Sequence, residues 1–173
     1  MNPSEKPRVL VSAGSKHGAT AEIARRIAIQ LEDSGCDVTS CPPGEARDVE
    51  DFDAIVLGSA VYAGHWTADA KDLAQAVGRF EAKPPVWLFS SGPIGDPPKP
   101  EEEPVDVSEI RAATDAREHH VFSGKIDKSM LGFGEKAILM ALKVPEGDFR
   151  DWDAIDRWAS RIAEQLTREM SLR

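Results

Sequence analysis

A chain of 173 residues is long enough for one well-buried domain, and it falls within the usual single-domain range of about 100–200 residues, so one domain over 1–173 is expected. Its net charge of −9 argues against broad nucleic-acid affinity, which rests on Lys and Arg neutralising phosphates. Cys36 and Cys41 fit neither a CxxC nor a metal-ligand spacing, Met1 to Lys6 lack the apolar core of a signal peptide, and no later segment approaches the roughly 20 apolar residues that span a bilayer. The expectation is a cytoplasmic protein with buried free thiols and at most peripheral contact with the inner face of the membrane.

The first strand is predicted at Val9-Leu10-Val11 and runs through Ser12-Ala13-Gly14 into Ser15-Lys16-His17-Gly18-Ala19-Thr20. A helix follows, marked by Ile23, Ala24, Ile27, Ala28 and Leu31 at helical spacing. The first amides of such a helix have no partner within it, and its dipole favours negative charge there, so the loop is a ready anion site. Ser15 and Thr20 offer hydroxyl donors, and Gly14 and Gly18 let the backbone curl tightly. A Walker A loop fails because Ala19 follows Gly18, and a dinucleotide loop fails because Ser15 and Lys16 interrupt the glycines. An ordinary capped turn would use the same residue types, but the place after the first strand favours phosphate. The remaining pattern, Ser15-x-x-Gly18-x-Thr20, resembles the phosphate loop of flavodoxin-like proteins, whose hydroxyls and amides hold the phosphate of flavin mononucleotide, FMN. His17 departs from it, since many members carry Thr there. With no partner visible in sequence, His17 reads as a solvent-facing loop residue rather than a catalytic base.

Further along, Ser34-Gly35 ends the helix, Asp37 to Ser40 forms a second strand, and Pro42-Pro43-Gly44 closes it. Glu45 to Phe52 has room for a turn or short helix, and Asp53 to Gly58 is a third, central strand. A helix over Ala68 to Phe80 carries Ala70, Leu73, Ala74 and Val77 on one face, and Pro84-Pro85 separates it from a fourth strand at Val86 to Ser90. Ser91 to Gly95 reads as a turn, Pro97 to Pro104 as an exposed acidic loop, Val107 to Glu118 as a helix and His119 to Gly124 as a fifth strand. Asp151 to Met170 closes the chain as a helix with Ile155, Trp158, Ala159, Ile162 and Leu166 on its buried face. Strands alternating with helices predict an α/β protein: a doubly wound, five-stranded parallel sheet in a three-layer sandwich, strand order 2-1-3-4-5. The piece from about 125 to 150 is an insertion, too long for an ordinary connection. Its residues Phe133, Ala137, Met140, Ala141 and Val144 share a helical face, with Ile138 and Leu142 flanking, and the favoured reading is a helix packed on the core. The alternative is a helix that docks on a membrane surface or a partner.

Ligands of open α/β sheets bind at the carboxyl ends of the strands, a rule for which flavodoxins are themselves a standard example. Three loops should meet there: Gly14 to Thr20, Gly58 to Trp66, and Ser90 to Gly95. Gly58 and Gly64 would allow a flat ring close to the backbone, Tyr62 or Trp66 would cover its face, and Ser90, Ser91 and Gly92 suit the polar edge of a flavin. Trp66 packed under the following helix is the competing reading. A phosphoacceptor receiver would need acidic residues after the first and third strands. The chain has Ser12-Ala13-Gly14 and Gly58-Ser59 instead, and it carries neither a Cys-x5-Arg loop nor a Gly-x-Ser-x-Gly turn.

Over nearly its whole length the chain resembles flavodoxin-domain proteins, and more narrowly the menaquinone-dependent protoporphyrinogen oxidases of bacteria. The resemblance rests on Ser15 to Thr20 with Glu22-Ile23-Ala24, on Gly58-Ser59-Ala60 with Gly64-His65-Trp66, on Asp151-Trp152, and on the insertion's place before the last helix. Tyr62 stands where that family commonly has Arg, and the Arg and Tyr richness of the family's insertion is largely gone. The resemblance implies an FMN-binding oxidoreductase performing electron or hydride transfer, with Ser15, Lys16, His17, Gly18, Ala19 and Thr20 at the phosphate. Ser59, Ala60, Val61, Tyr62, Gly64, Ser90, Ser91 and Gly92 would then flank the ring. Implied partners are a redox protein or quinone, with a porphyrinogen as possible substrate. A flavodoxin-type electron carrier and a flavin-free protein-binding module are the alternatives. No catalytic base is assigned.

Overall fold

Alternate residues of β1 (Arg8–Gly14) point to opposite faces of the sheet, so Val9 and Val11 enter one apolar layer and Leu10 the other. The same division runs through β3 (Ala54–Tyr62) and β5 (Val86–Ser91), where Val56, Trp87 and Phe89 face one way and Ile55, Leu57 and Leu88 the other. Strands buried on both faces read as continuous apolar runs, and these three do. With β2 (Asp37–Ser40) and β6 (Glu118–Phe122) they form a parallel sheet of order β2-β1-β3-β5-β6. In terms of the five parallel strands this is the expected 2-1-3-4-5. The computed structural model describes residues 5–92, 103–141, 143 and 145–173. The expected turn at Pro93 to Gly95, the acidic stretch from Pro97 to Glu102, and Leu142 and Val144 lie outside the described residues.

Helices cover both faces. α1 (Ala19–Asp33) and α5 (Trp152–Ser171) bury Ile23, Ile27, Ile155, Trp158 and Ile162 on one side, while α2 (Ala68–Gly78) and α3 (Val107–Thr114) bury Leu73, Val77 and Ile110 on the other. Asp151 caps α5 by accepting a hydrogen bond from the Ala154 amide at 3.0 Å. Cys36 is buried, Cys41 is half-buried, and both are free thiols.

Several boundaries differ from the sequence expectation. β3 continues past Gly58 to Tyr62, because Ser59 pairs with both Gly14 and Ser90 and has a sheet neighbour on each side. Tyr62 then turns through Ala63 and Gly64 into β4 (His65–Trp66), which folds back antiparallel on β3. The segment expected as a long loop from Gly58 to Trp66 is therefore strand and tight hairpin. Ser91 likewise belongs to β5, and α3 stops at Thr114, where Asp115 takes a left-handed φ of 51°.

The insertion forms a small antiparallel ribbon, β7 (Lys125–Ile126) with β8 (Gly147–Asp148), and a helix, α4 (Phe133–Ala141). The favoured core-packing reading of that helix is overturned. No residue of α4 is buried, and Phe133 is 92% exposed, Ile138 61% and Met140 69%. The apolar periodicity is real, but neither sheet face is left uncovered for it to fill.

Candidate functional site

Register brings the predicted loops together. Gly14, Ser59 and Ser90 lie side by side across β1, β3 and β5, so the ends of these strands open on the same rim. At the first, Gly18 adopts a left-handed φ of 93° and its amide donates to Ser15 Oγ at 3.1 Å. No side chain caps α1. Its first-turn amides have no partner inside the helix and face the loop, with Thr20 buried beneath. This is an anion cradle in backbone form.

Two side chains of the loop already meet an anion. Lys16 Nζ pairs with the Glu135 carboxylate of α4, and His17 Nε2 lies 3.2 Å from Glu135 Oε2. The His17 contact is poorly aligned, so Nε2 is a buried polar atom without a hydrogen-bond partner among the described residues. Glu135 also accepts from the Gly132 amide at 3.2 Å. The Lys16 hydrogen bond, then that amide, then the charges of Lys16 and His17 hold its carboxyl below the ordinary range. His17 is therefore half-buried beside Glu135 rather than solvent-facing, with an ionic neighbour that its local sequence does not show.

Tyr62 completes this corner. It is 36% exposed at the hairpin tip, with Lys16 Nζ 5.5 Å from its ring centroid and the His17 ring edge-on at 6.2 Å. Burial pushes its phenol up, against the opposing pull of the Lys16 backbone amide. Trp66 is 3% exposed and packs under α2 and α3, as its competing reading had it.

The ring-flanking residues are adjacent, but their hydroxyls are engaged. Ser59 Oγ accepts from the Thr67 amide at 2.9 Å and donates to the Ala60 carbonyl at 2.7 Å. Ser90 Oγ accepts from Trp66 Nε1 at 2.8 Å, which leaves its own proton for His119 Nε2 at 2.7 Å. With Nε2 as that acceptor, His119 carries its proton on Nδ1 and donates it to Glu103 at 3.1 Å. Both serines hold the start of α2 in place, so what they can offer a ligand is backbone. Ala60 and Ser91 are buried, and a Cβ on Gly92 would stand 3.3 Å from that of Val61. Gly64, with a φ of 82°, makes the hairpin turn, and its carbonyl accepts from the Val105 amide at 2.8 Å. Two glycines serve packing rather than a ligand: a Cβ on Gly58 would lie 2.2 Å from the Phe89 ring, and one on Gly14 would lie 1.8 Å from Thr67 Oγ1.

Four residues that hold this rim are not visible in the local motifs. Besides Glu135 and His119, Asp106 accepts from the Trp66 amide at 3.0 Å and meets His65 Nδ1 at 3.2 Å. Burial pushes the Asp106 carboxyl up, but the Trp66 amide, His65 and the Lys71 charge outweigh it, so it titrates below the ordinary range. Arg150, only 4% exposed in its side chain, forms two hydrogen bonds with Asp148 at 2.7 and 2.8 Å. It also pairs with Glu22 of α1 and reaches the Ala19 carbonyl at 3.3 Å, bracing the first turn behind the cradle. The cluster Asp148-x-Arg150-Asp151-Trp152 was the available signal, since Arg150 also stacks on Trp152 at 4.5 Å. A separate open groove of about 580 Å³, lined by Lys6, Arg8, Cys36, Asp37, Asp53 and Met170, lies at the amino ends of the strands, away from this rim.

A family model described as a flavodoxin domain matches residues 10–153. No curated protein sequence matches the chain. Among solved structures it is similar to a flavodoxin from Streptococcus pneumoniae TIGR4, at 16% identity and a TM-score of 0.63 over 94% of this chain and 99% of that one. It is also similar to a flavodoxin from the domain Archaea, at 15% identity and a TM-score of 0.62 over 92% and 98% of the two chains. Rubredoxin:oxygen oxidoreductase from Desulfovibrio gigas aligns at 16% identity and a TM-score of 0.61, covering 96% of this chain but 37% of that one. At these identities the likeness is one of fold.

Proposed function

Because the chain belongs to the flavodoxin-domain family, we propose that it binds FMN on the rim formed by β1, β3 and β5 and works as a flavin oxidoreductase. The observation that carries this reading is the uncapped start of α1 behind a left-handed Gly18, with Lys16, His17 and Tyr62 gathered on it. The residues fit the group. Ser15, Lys16, His17, Gly18, Ala19 and Thr20 supply hydroxyls, amides and cationic side chains suited to a phosphate, and the loop already attracts a carboxylate. Tyr62 is the aromatic left on the surface of this rim to lie beside a ring, while Ser59, Ala60, Val61, Gly64, Ser90, Ser91 and Gly92 contribute backbone. Bound FMN would supply one- or two-electron transfer, and the protein would supply binding, orientation and electrostatics.

A finer reading, oxidation of a porphyrinogen with a quinone or redox protein as acceptor, rests on the resemblance of the second loop and on the insertion. The exposed apolar side chains of α4 favour a partner or a membrane surface over internal packing. Among the described residues no helix is long and apolar enough to cross a membrane. A simple electron carrier is the second reading, since two of the similar solved structures are flavodoxins of about the same length as this chain.

Calorimetry with FMN and riboflavin tests the phosphate site. FMN should bind at least about tenfold more tightly, since one hydrogen bond to a charged oxygen is worth about 1.5–3 kcal/mol, and Thr20→Val should remove part of that preference. Equal affinity for the two flavins would overturn the assignment. Turnover with a quinone and an electron donor separates enzyme from carrier.

A further inference from the structure

We infer that Glu135 is an internal counter-anion for the phosphate loop, so that docking of α4 and binding of a phosphate group there exclude one another. This deepens the FMN reading and takes its site from it. The contact joins residues 119 positions apart and is made by the charged end of the loop: Lys16 pairs with the Glu135 carboxylate and His17 Nε2 stands 3.2 Å from it. Glu135 sits in the first turn of α4, fixed by the Gly132 amide. Little apolar packing holds the helix down, because no residue of α4 is fully buried, Leu139 is half-buried, and Phe133, Ile138 and Met140 face solvent. Among the described residues, the hydrogen bond and ion pairs between α4 and the sheet domain are made by this carboxylate. A partly exposed ion pair is weak and reversible.

A phosphate group at the start of α1 carries up to two negative charges and needs the same donors. Two anions a few ångströms apart repel, and Lys16 cannot neutralise both. Either Glu135 keeps Lys16 and His17, with α4 docked, or the phosphate takes them and α4 is released. Phosphate binding therefore works against the pair, and an undocked α4 presents its apolar side chains free of the rim. Ligand at one end of the molecule would set the state of the insertion at the other end of the chain.

The test compares the wild-type protein with Glu135→Gln and with Glu109→Gln, which removes the same charge from the exposed surface of α3. FMN, riboflavin and inorganic phosphate are titrated into each by calorimetry, and amide exchange of residues 133–141 is followed with and without FMN. Glu135→Gln should tighten FMN and phosphate by about three- to fivefold, leave riboflavin unchanged, and differ from Glu109→Gln. In the wild type, FMN should speed exchange in α4. Unchanged or weaker FMN binding in Glu135→Gln, or slower exchange in α4 on adding FMN, would overturn the counter-anion. If FMN does not bind but inorganic phosphate does, and more tightly in Glu135→Gln, the FMN reading falls while the counter-anion stands. If neither ligand binds either protein, both fall.

Discussion

Trp66 and His119 lie on one hydrogen-bonded chain, from the indole through Ser90 to the imidazole and on to Glu103. The indole only donates, and the Ser90 hydroxyl donates its own proton within this chain when His119 Nε2 accepts it as a neutral ring. The His119 side chain is fully buried, and burial outweighs Glu103 to push its titration below the ordinary value of 6.5; His120 is lowered by burial as well. The sign follows from that direction. Between the folded value and about 6.5 the unfolded chain binds more protons, so the contribution is full above that pH and is lost as pH falls toward the folded value. Asp106 and Asp148 are also lowered, but they start from 3.8, so their losses come only in stronger acid. The melting midpoint should therefore drop between pH 7.5 and 5, by about 2–4 °C for each kcal/mol lost, and His119→Gln should flatten that slope by keeping a neutral donor and acceptor. An equal slope in the variant would assign the effect to His120. Sequence could not choose between Tyr62 and Trp66 because both aromatics flank one turn; burial separates them only once α2 and α3 are placed.

At the scale of elements, the strands and main helices were legible from period alone: β-branched runs gave β1, β3 and β5, and apolar spacing gave α1 and α5. What was not legible was the extent of β3 and β5, since Ser59 and Ser91 are not typical strand interiors and are held there by neighbours on both sides, while Tyr62 pairs with His65 of β4 across the hairpin. The α4 helix was legible as a helix but not by its surroundings, because an amphipathic pattern records an apolar face and not what meets it. The hairpin between β3 and β4 carries a local cost. Ala63 has a φ of 49° and Gly64 one of 82°, the two positive values of a type I′ turn, in which Asn-Gly is the favoured pair. A left-handed Ala costs about 1–2 kcal/mol that Asn partly avoids. Ala63→Asn should raise the melting midpoint by about 2–4 °C, and Ala63→Val should lower it. No change in either would mean that the turn relaxes in solution.

For the whole molecule, the two apolar layers close without the insertion. Neither core cluster contains any residue between Phe122 and Ile155, apart from Trp152 packed at the edge of one. The insertion leaves and returns through a paired ribbon, with Ile126 opposite Gly147 and Lys125 opposite Asp148, and the Phe149 amide donates to the Gly124 carbonyl at 3.0 Å just below it. These contacts make an excision site: replacing residues 127–146 with Asn-Gly joins Ile126 to Gly147 through a two-residue turn that the antiparallel register accepts. Arg150 and its brace on Glu22 and Ala19 stay in place. Losing the exposed pairing of Lys16 and His17 with Glu135 costs about 0–1 kcal/mol, while shortening the loop about tenfold returns up to roughly 2 kcal/mol. The excised protein should therefore fold with a melting midpoint equal to or above that of the full chain, measured by circular dichroism. A fall of more than about 5 °C, equivalent to roughly 2 kcal/mol, would place α4 inside the cooperative unit and leave its exposed Phe133, Ile138 and Met140 without their present account.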